Sequence, residues 1–285
     1  YKNPGMTNST VWVLSFEGGG WSYTPEMAAD RAEWANGLGS SKLAADNYTW
    51  WNGPLCADPD RNPPFYDANR VLLWYCDGGS FAGDLDEPLD VDGQTFWIRG
   101  KRIVDALLSE LLANEGLDKA TDVLLTGTSA GGLAAYLHAD YVASLLPDTV
   151  TRFGVAPISG FFLNHADLKG DTTYGDELRN VFEYQNSTGG VNADCIEAKG
   201  GEENGVTSDC IFANETTSHL QTPLFVINSN VDSWQLENIW RDATECCSNT
   251  TAQFQSCSDD QVDAINAYGG DFLDDLMRVL KSDTS

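Results

Sequence analysis

The chain has 285 residues, enough for one large α/β domain with a sizeable buried core. Its 43 Asp and Glu against 16 Lys and Arg give a formal net charge of −27. That balance excludes nucleic acid as a partner, since phosphate binding needs a basic face, and it disfavours anionic membranes and strongly polyanionic substrates. No apolar run is long enough to cross a bilayer, so no membrane span is expected.

In chain order, residues 11–16 read as a buried strand stopped by Gly18-Gly19-Gly20, and residues 71–76 as a second, stopped by Asp77-Gly78-Gly79. The acidic stretch 84–93 lacks the distal glutamate of a calcium loop and reads as an acidic surface loop. Over residues 102–114, Val104, Leu107, Leu108, Leu111 and Leu112 recur at helical spacing, and Gly116 ends the helix. The run Val123-Leu124-Leu125 breaks at Gly127, reaches Ser129 and resumes as an Ala/Leu-rich helix that carries His138. Residues 153–158 are a short strand, and 223–228 the last clear one. Residues 272–280 form an amphipathic helix with Phe272, Leu273, Leu276, Met277 and Leu280 on one side. This strand–loop–helix alternation predicts a single α/β domain over 1–285, with a mostly parallel central sheet and helices on both faces.

Residues of about 170–219 carry Gly-rich patches, two Cys and two sequons, and read as an insertion or lid. A pairing of Cys195 with Cys210 would pin it, one of several pairings that seven cysteines allow. Five N-x-[ST] sequons, at Asn8, Asn47, Asn186, Asn214 and Asn249, are candidate N-glycosylation sites. With the cysteines they point to an oxidising compartment and a secreted, extracellular protein. The odd Cys count leaves one thiol free or one partner elsewhere. With no C-x-x-C and only three His, no metal site is expected, and no cofactor.

Gly127-Thr128-Ser129-Ala130-Gly131 is a G-x-S-x-G motif set between a strand and a helix, the context a nucleophile elbow requires. A serine on that turn projects its hydroxyl from the top of the sheet, where the helix N-terminus offers unpaired N–H groups. In open parallel sheets, sites form at the carboxyl ends of strands. The Gly18-Gly19-Gly20 loop, like the Ala130 N–H, can face a developing oxyanion there. Asp232, four residues past a strand end, is the natural orienting acid, or alternatively a turn-capping Asp. The order Ser…Asp…His then demands a histidine after Asp232, and the three present, His138, His165 and His219, all precede it. His138, about 13 Å along the helix from Ser129, is a poor base.

Several stretches together resemble the pectin acetylesterase/Notum family of secreted carboxylesterases. They are Glu17-Gly18-Gly19-Gly20-Trp21, Tyr75-Cys76-Asp77-Gly78-Gly79-Ser80-Phe81-Ala82-Gly83-Asp84 and Gly127-Thr128-Ser129-Ala130-Gly131-Gly132. Gly160-Phe161-Phe162-Leu163 and Asp232-Ser233-Trp234-Gln235 follow in family order. The resemblance implies an α/β-hydrolase-like three-layer fold, with Ser129 as nucleophile and Asp232 as triad acid. Gly20, Trp21 and Ala130 would form the oxyanion hole. The resemblance also implies removal of O-acetyl groups from an extracellular polysaccharide, or of a longer acyl group from another acyl ester. A lipid-ester deacylase would in addition need a deep apolar acyl pocket, for which Phe161 and Phe162 are the candidate lining. The −27 charge favours a neutral or heavily esterified polymer. Two features depart from the family. Ser22 stands where a cysteine is usual just after the Gly-Gly-Trp, and the family's catalytic His belongs to a C-terminal segment that this chain lacks. The sequence is therefore expected to be incomplete at its C-terminal end. The contrasting expectation is a catalytically inactive extracellular glycan-binding or structural assembly protein lacking the triad His, the latter with an extracellular assembly partner.

Overall fold

The computed structural model describes residues 2–3, 9–33, 38–43, 53–201, 205–241 and 257–281. Its strands are β1 (Lys2–Asn3), β2 (Val11–Phe16), β3 (Asn69–Leu73), β4 (Leu89–Val91), β5 (Gln94–Phe96), β6 (Asp122–Thr128) and β7 (Arg152–Ile158). The helices are α1 (Pro25–Glu33), α2 (Gly100–Asn114), α3 (Ala130–Leu137), α4 (Ala139–Leu145), α5 (Thr173–Tyr184), α6 (Ala193–Gly201), α7 (Ala213–Thr217), α8 (Ser233–Asn238) and α9 (Asp259–Lys281).

Among the described residues the central sheet runs β1-β3-β2-β6-β7, with β1 antiparallel to β3 and all other pairs parallel. β2 is buried on both sides, which explains its unbroken apolar sequence. Trp12, Leu14, Phe16, Val123, Leu125 and Val155 join one large core with α2, α3 and the segments beyond β7. On the opposite face Val13 and Leu72 pack with Leu55 and Ala68, with Phe65 and Leu124 at the margin. The predicted mostly parallel sheet with helices is thus observed.

Residues 223–228 lie alongside β7, with Phe225 N–H donating to Val155 O (2.8 Å) and Ile227 N–H to Pro157 O (3.1 Å). They form only two isolated parallel bridges, so the predicted last strand is irregular. Phe225 is 72 % exposed there. The helix predicted to continue from Ser129 past His138 breaks at that residue, whose ring nitrogen Nε2 bonds Phe81 O at 3.1 Å. Within 84–93, Asp84 and Asp86 pair with Arg102, and Asp92-Gly93 (φ 52° and 79°) turns the β4–β5 hairpin, a two-residue geometry that Asp-Gly suits.

The segment predicted as an insertion or lid is mostly helical, α5 to α7, and a Cys195–Cys210 disulfide closes it. Tyr174, Leu178, Val181, Ile211 and Phe212 from it are all buried in the main core. Cys257 is also disulfide-bonded, while Cys56 and Cys76 are free thiols. Burial, with Asp77 and Glu17 nearby, pushes the Cys76 thiol up to about 11, so it stays protonated.

Candidate active site

Ser129 stands at the junction of β6 and α3 with φ 60° and ψ −127°. That conformation costs a side-chain-bearing residue on the order of 1–3 kcal/mol and persists only where neighbours enforce it. Here Ser129 N–H donates to Ile158 O at 3.0 Å, and Ser129 O accepts from Leu133 N–H at 3.0 Å. The flanking glycines are steric requirements of the same turn. A Cβ on Gly127 would sit 2.1 Å from Gly131 O, and one on Gly131 2.3 Å from Phe16 O. A Cβ on Gly18 would meet Thr128 O at 2.1 Å and Ser129 Cβ at 3.1 Å, so the glycine loop after β2 lies directly on the serine.

The orientation of that loop follows from its carbonyls. Arg31 Nη2 donates to Gly19 O (2.7 Å), and the Tyr75 hydroxyl donates to Gly20 O (2.8 Å). In a trans peptide the N–H points opposite to the C=O, so pinning these carbonyls turns the Gly20 and Trp21 amides the other way. Neither amide donates to an acceptor among the described residues, and Ala130, first in α3, has no intrahelical acceptor. A second relay ties the amides together: Trp21 Nε1–H donates to Ser80 Oγ (2.8 Å), which donates to Ala130 O (2.8 Å). Ser80 N–H in turn donates to the Tyr75 oxygen at 3.0 Å. The Arg31 guanidinium also lies over the Tyr75 ring, 4.9 Å from its centre. Sequence reasoning missed Arg31, Tyr75 and Ser80, because their partners are distant in the chain.

Beneath the loop sit two carboxylates, Asp77 buried and Glu17 half-buried. Glu17 accepts from Tyr75 N–H (3.1 Å), and Asp77 accepts from Phe81 N–H and Gly83 N–H (both 3.1 Å). Burial raises both acids above the ordinary carboxylate range, with these N–H donors acting against the rise.

Asp232 is the N-cap of α8: its Oδ1 accepts from Gln235 N–H at 3.0 Å. β7 links it to the serine. Ile158 O holds Ser129 N–H, while Ser159 N–H donates to Ile227 O (2.7 Å) and Phe161 N–H to Asn228 Oδ1 (3.0 Å). Both residues therefore stand at the carboxyl end of the sheet. None of the three histidines is hydrogen-bonded to Ser129 or Asp232. His138 is 1 % exposed, and burial with the nearby Lys101 charge lowers its pKa to about 4, so it is neutral and donates to Phe81 O. His165 bonds Asp271 (3.2 Å) and its own loop at Ala166 O (2.5 Å). A groove of about 520 Å³, lined by Val11, Phe65, Leu124, Arg152, Phe153 and Gly154, lies at the opposite, amino end of the strands.

A family model described as pectinacetylesterase matches residues 1–285. The chain belongs to the pectinacetylesterase family. Pectin acetylesterase 4 of Arabidopsis thaliana is 34 % identical over 232 residues, covering 81 % of this chain and 54 % of that protein. Pectin acetylesterase 11 of the same plant is 31 % identical and covers 96 % and 68 %. The mouse palmitoleoyl-protein carboxylesterase NOTUM is 30 % identical, covering 80 % and 45 %. The chain thus spans about half to two-thirds of these relatives. Among solved structures, the Wnt deacylase Notum from Drosophila superposes with a TM-score of 0.80 at 21 % identity, covering 98 % of this chain and 76 % of that one. The fold is therefore the Notum fold.

Within this family member the two phenylalanines expected to line an acyl pocket part company. Phe161 is fully buried and turns toward α3 and α9, against Tyr136 (6.1 Å between ring centres) and Phe272 (5.4 Å). Phe162 turns toward Trp21 (4.8 Å) and Trp234 (5.3 Å). Of the sequons, Asn186 is exposed and donates to Asp84 O, whereas Asn214 is buried, so a glycan there would need the side chain to swing outward. Asn8, Asn47 and Asn249 lie outside the described residues.

Proposed function

We propose that the intact protein is a secreted serine carboxylesterase that removes O-acetyl groups from an extracellular polysaccharide through an acyl-enzyme. The observation that carries this reading is the strained Ser129 turn with the glycine loop packed against it, the Gly19 and Gly20 carbonyls of that loop being pinned to Arg31 and Tyr75. In this reading Ser129 Oγ attacks the ester carbonyl and gives its proton to a base. The Gly20, Trp21 and Ala130 N–H groups stabilise the resulting oxyanion, a donor set in which each member contributes about 3–4 kcal/mol. Collapse expels the sugar hydroxyl, and water then hydrolyses the acyl-enzyme by the same steps. Asp232 keeps Oδ2 free of partners among the described residues and orients the base. The reading needs a histidine beside Asp232, a place that none of the three in this chain occupies in the structure. Two disulfide-bonded regions and the exposed sequon at Asn186 support an extracellular location.

A second reading is an inactive glycan-binding protein that keeps the esterase scaffold. Labelling of the native protein with a fluorophosphonate, beside Ser129→Ala, separates the two. Rapid labelling that is lost in the variant supports the esterase. A folded protein that stays unlabelled sinks it and leaves the binding role.

A further inference from the structure

We infer that Trp234, with Trp21 and Phe162, closes the acyl side of this site and limits its substrates to short acyl esters such as acetyl. The inference rests on the esterase reading for its substrate, though the closure itself is a property of the packing.

The three rings come from the three chain segments that build the site. Trp21 ends the glycine loop lying on Ser129, and its indole N–H reaches through Ser80 Oγ to the carbonyl of Ala130, the residue after the serine. Phe162 follows Gly160, where a Cβ would sit 2.3 Å from the carbonyl carbon of Gly132, so this loop rests on the first turn of α3. Trp234 is two residues past Asp232, in α8.

The rings meet one another edge to face: Trp21–Phe162 at 4.8 Å, Phe162–Trp234 at 5.3 Å and Trp21–Trp234 at 5.5 Å. Tyr174 backs the trio, 6.0 Å from Trp21 and 6.1 Å from Trp234. Trp21, Phe162 and Tyr174 are almost fully buried, while Trp234 is half-buried and forms the outer member. Ring centres this close leave no channel between them for a polymethylene chain. The glycine loop that carries Trp21 lies on Ser129, so an acyl group on Ser129 that turns toward Trp21 faces this wall. A methyl fits such a space, whereas a chain of eight carbons would have to displace a tryptophan. Because Trp234 touches solvent on one side, it is the member whose removal opens the wall at least cost to the core.

The test uses the intact protein, Trp234→Ala and the milder Trp234→Leu, each checked for native circular dichroism. The first readout needs no catalysis: binding of octanoate, followed by intrinsic fluorescence and calorimetry. The wild type is expected to show no saturable binding at millimolar octanoate, and the variants to gain it, Trp234→Ala by at least tenfold over Trp234→Leu. The second readout is hydrolysis of p-nitrophenyl acetate and octanoate. The octanoate-to-acetate ratio of kcat/KM should rise 10–200-fold in Trp234→Ala, the range over which a pocket discriminates apolar bulk. Octanoate binding by the wild type as tight as by the variants would overturn the inference. So would folded variants that gain neither binding nor a changed ratio. Failure of the esterase reading looks different: no ester is hydrolysed by any form, while octanoate binding still appears when Trp234 is cut back.

Discussion

Around Ser129 the backbone is enclosed by β2, β7 and the glycine loop, whereas Asp232 follows a stretch of chain that, among the described residues, pairs with β7 alone. Close backbone approaches fix the first region, where Gly18, Gly127, Gly131 and Gly132 each leave less than 3.0 Å for an added Cβ. Side-chain hydrogen bonds hold the second. Asp140 accepts from Gln221 N–H and from the Thr222 N–H and hydroxyl ahead of residues 223–228, and the Asp232 carboxylate holds the first turn of α8. Packing of this kind keeps Ser129 from drifting, whereas the place of Asp232 depends on a few replaceable contacts.

Substitutions should separate the two regions by size of effect. Gly131→Ala pushes a methyl into Phe16 O and should cost about 3 kcal/mol or more, lowering Tm by roughly 6–12 °C. Gly270→Ala is its counterpart: in α9, with nothing within 4 Å of the added carbon, it should raise Tm slightly, since alanine favours helix by about 1 kcal/mol over glycine.

The enclosed region also carries a pH signature. His138 has a folded pKa of about 4 against an ordinary 6.5, so the unfolded chain binds the extra proton between those values. Stability is then complete above pH 6.5 and declines by up to about 3 kcal/mol as pH falls toward 4. Glu17 and Asp77 are raised instead, so their protonation favours the folded state and opposes this loss. The difference in thermal stability between wild type and His138→Gln, followed from pH 7 to 4.5, isolates the histidine and should shift steadily toward the variant. A difference that stays flat with pH contradicts a buried neutral His138.

Tyr75→Phe tests how the loop is aimed. It removes the donor to Gly20 O and the acceptor of Ser80 N–H, so about 2 kcal/mol of stability should go. If the hydroxyl orients the Trp21 amide, kcat falls by at least tenfold with KM little changed. Equal changes in kcat and activity-competent protein would reduce the effect to instability. The smallest effect belongs to the acid side. Asp232→Ala should lose about 1 kcal/mol of capping, whereas Asp232→Asn, an equally good cap, should keep stability and lose turnover. Calorimetry beside ester hydrolysis on both variants separates the cap from the charge.

Much of this arrangement is legible in the sequence, for reasons that also mark where legibility stops. β2 runs over the predicted residues 11–16 because it is buried on both faces and every position is apolar apart from Ser15. The turn at Ser129 is readable in part because Gly127 answers to Gly131 a few residues away, whereas the need for glycine at 131 and 132 comes from Phe16 O and Ile158 O, distant in the chain. α2 begins at Gly100, two residues ahead of the pattern, where a Cβ would lie 2.0 Å from Asp77 Oδ2, a contact no local propensity encodes. α9 begins well before residue 272, since its opening turns are acidic and solvent-facing. The break at His138 is set by Phe81, 57 residues upstream, and the aim of the glycine loop by Tyr75, 55 residues on from Gly20. Residues 223–228 carry a strand's composition but have a partner on one side only among the described residues.

The N-cap at Asp232 has a kinetic corollary. The carboxylate is held by the Gln235 amide only while the first turn of α8 is wound, and six residues make a helix with little cooperativity of its own. Each fraying event releases the acid and exposes that amide at the same moment. Deuterium uptake at Gln235 N–H therefore clocks how often the carboxylate leaves its post, and the protection factor of this single amide measures the fraction of time for which Asp232 is held.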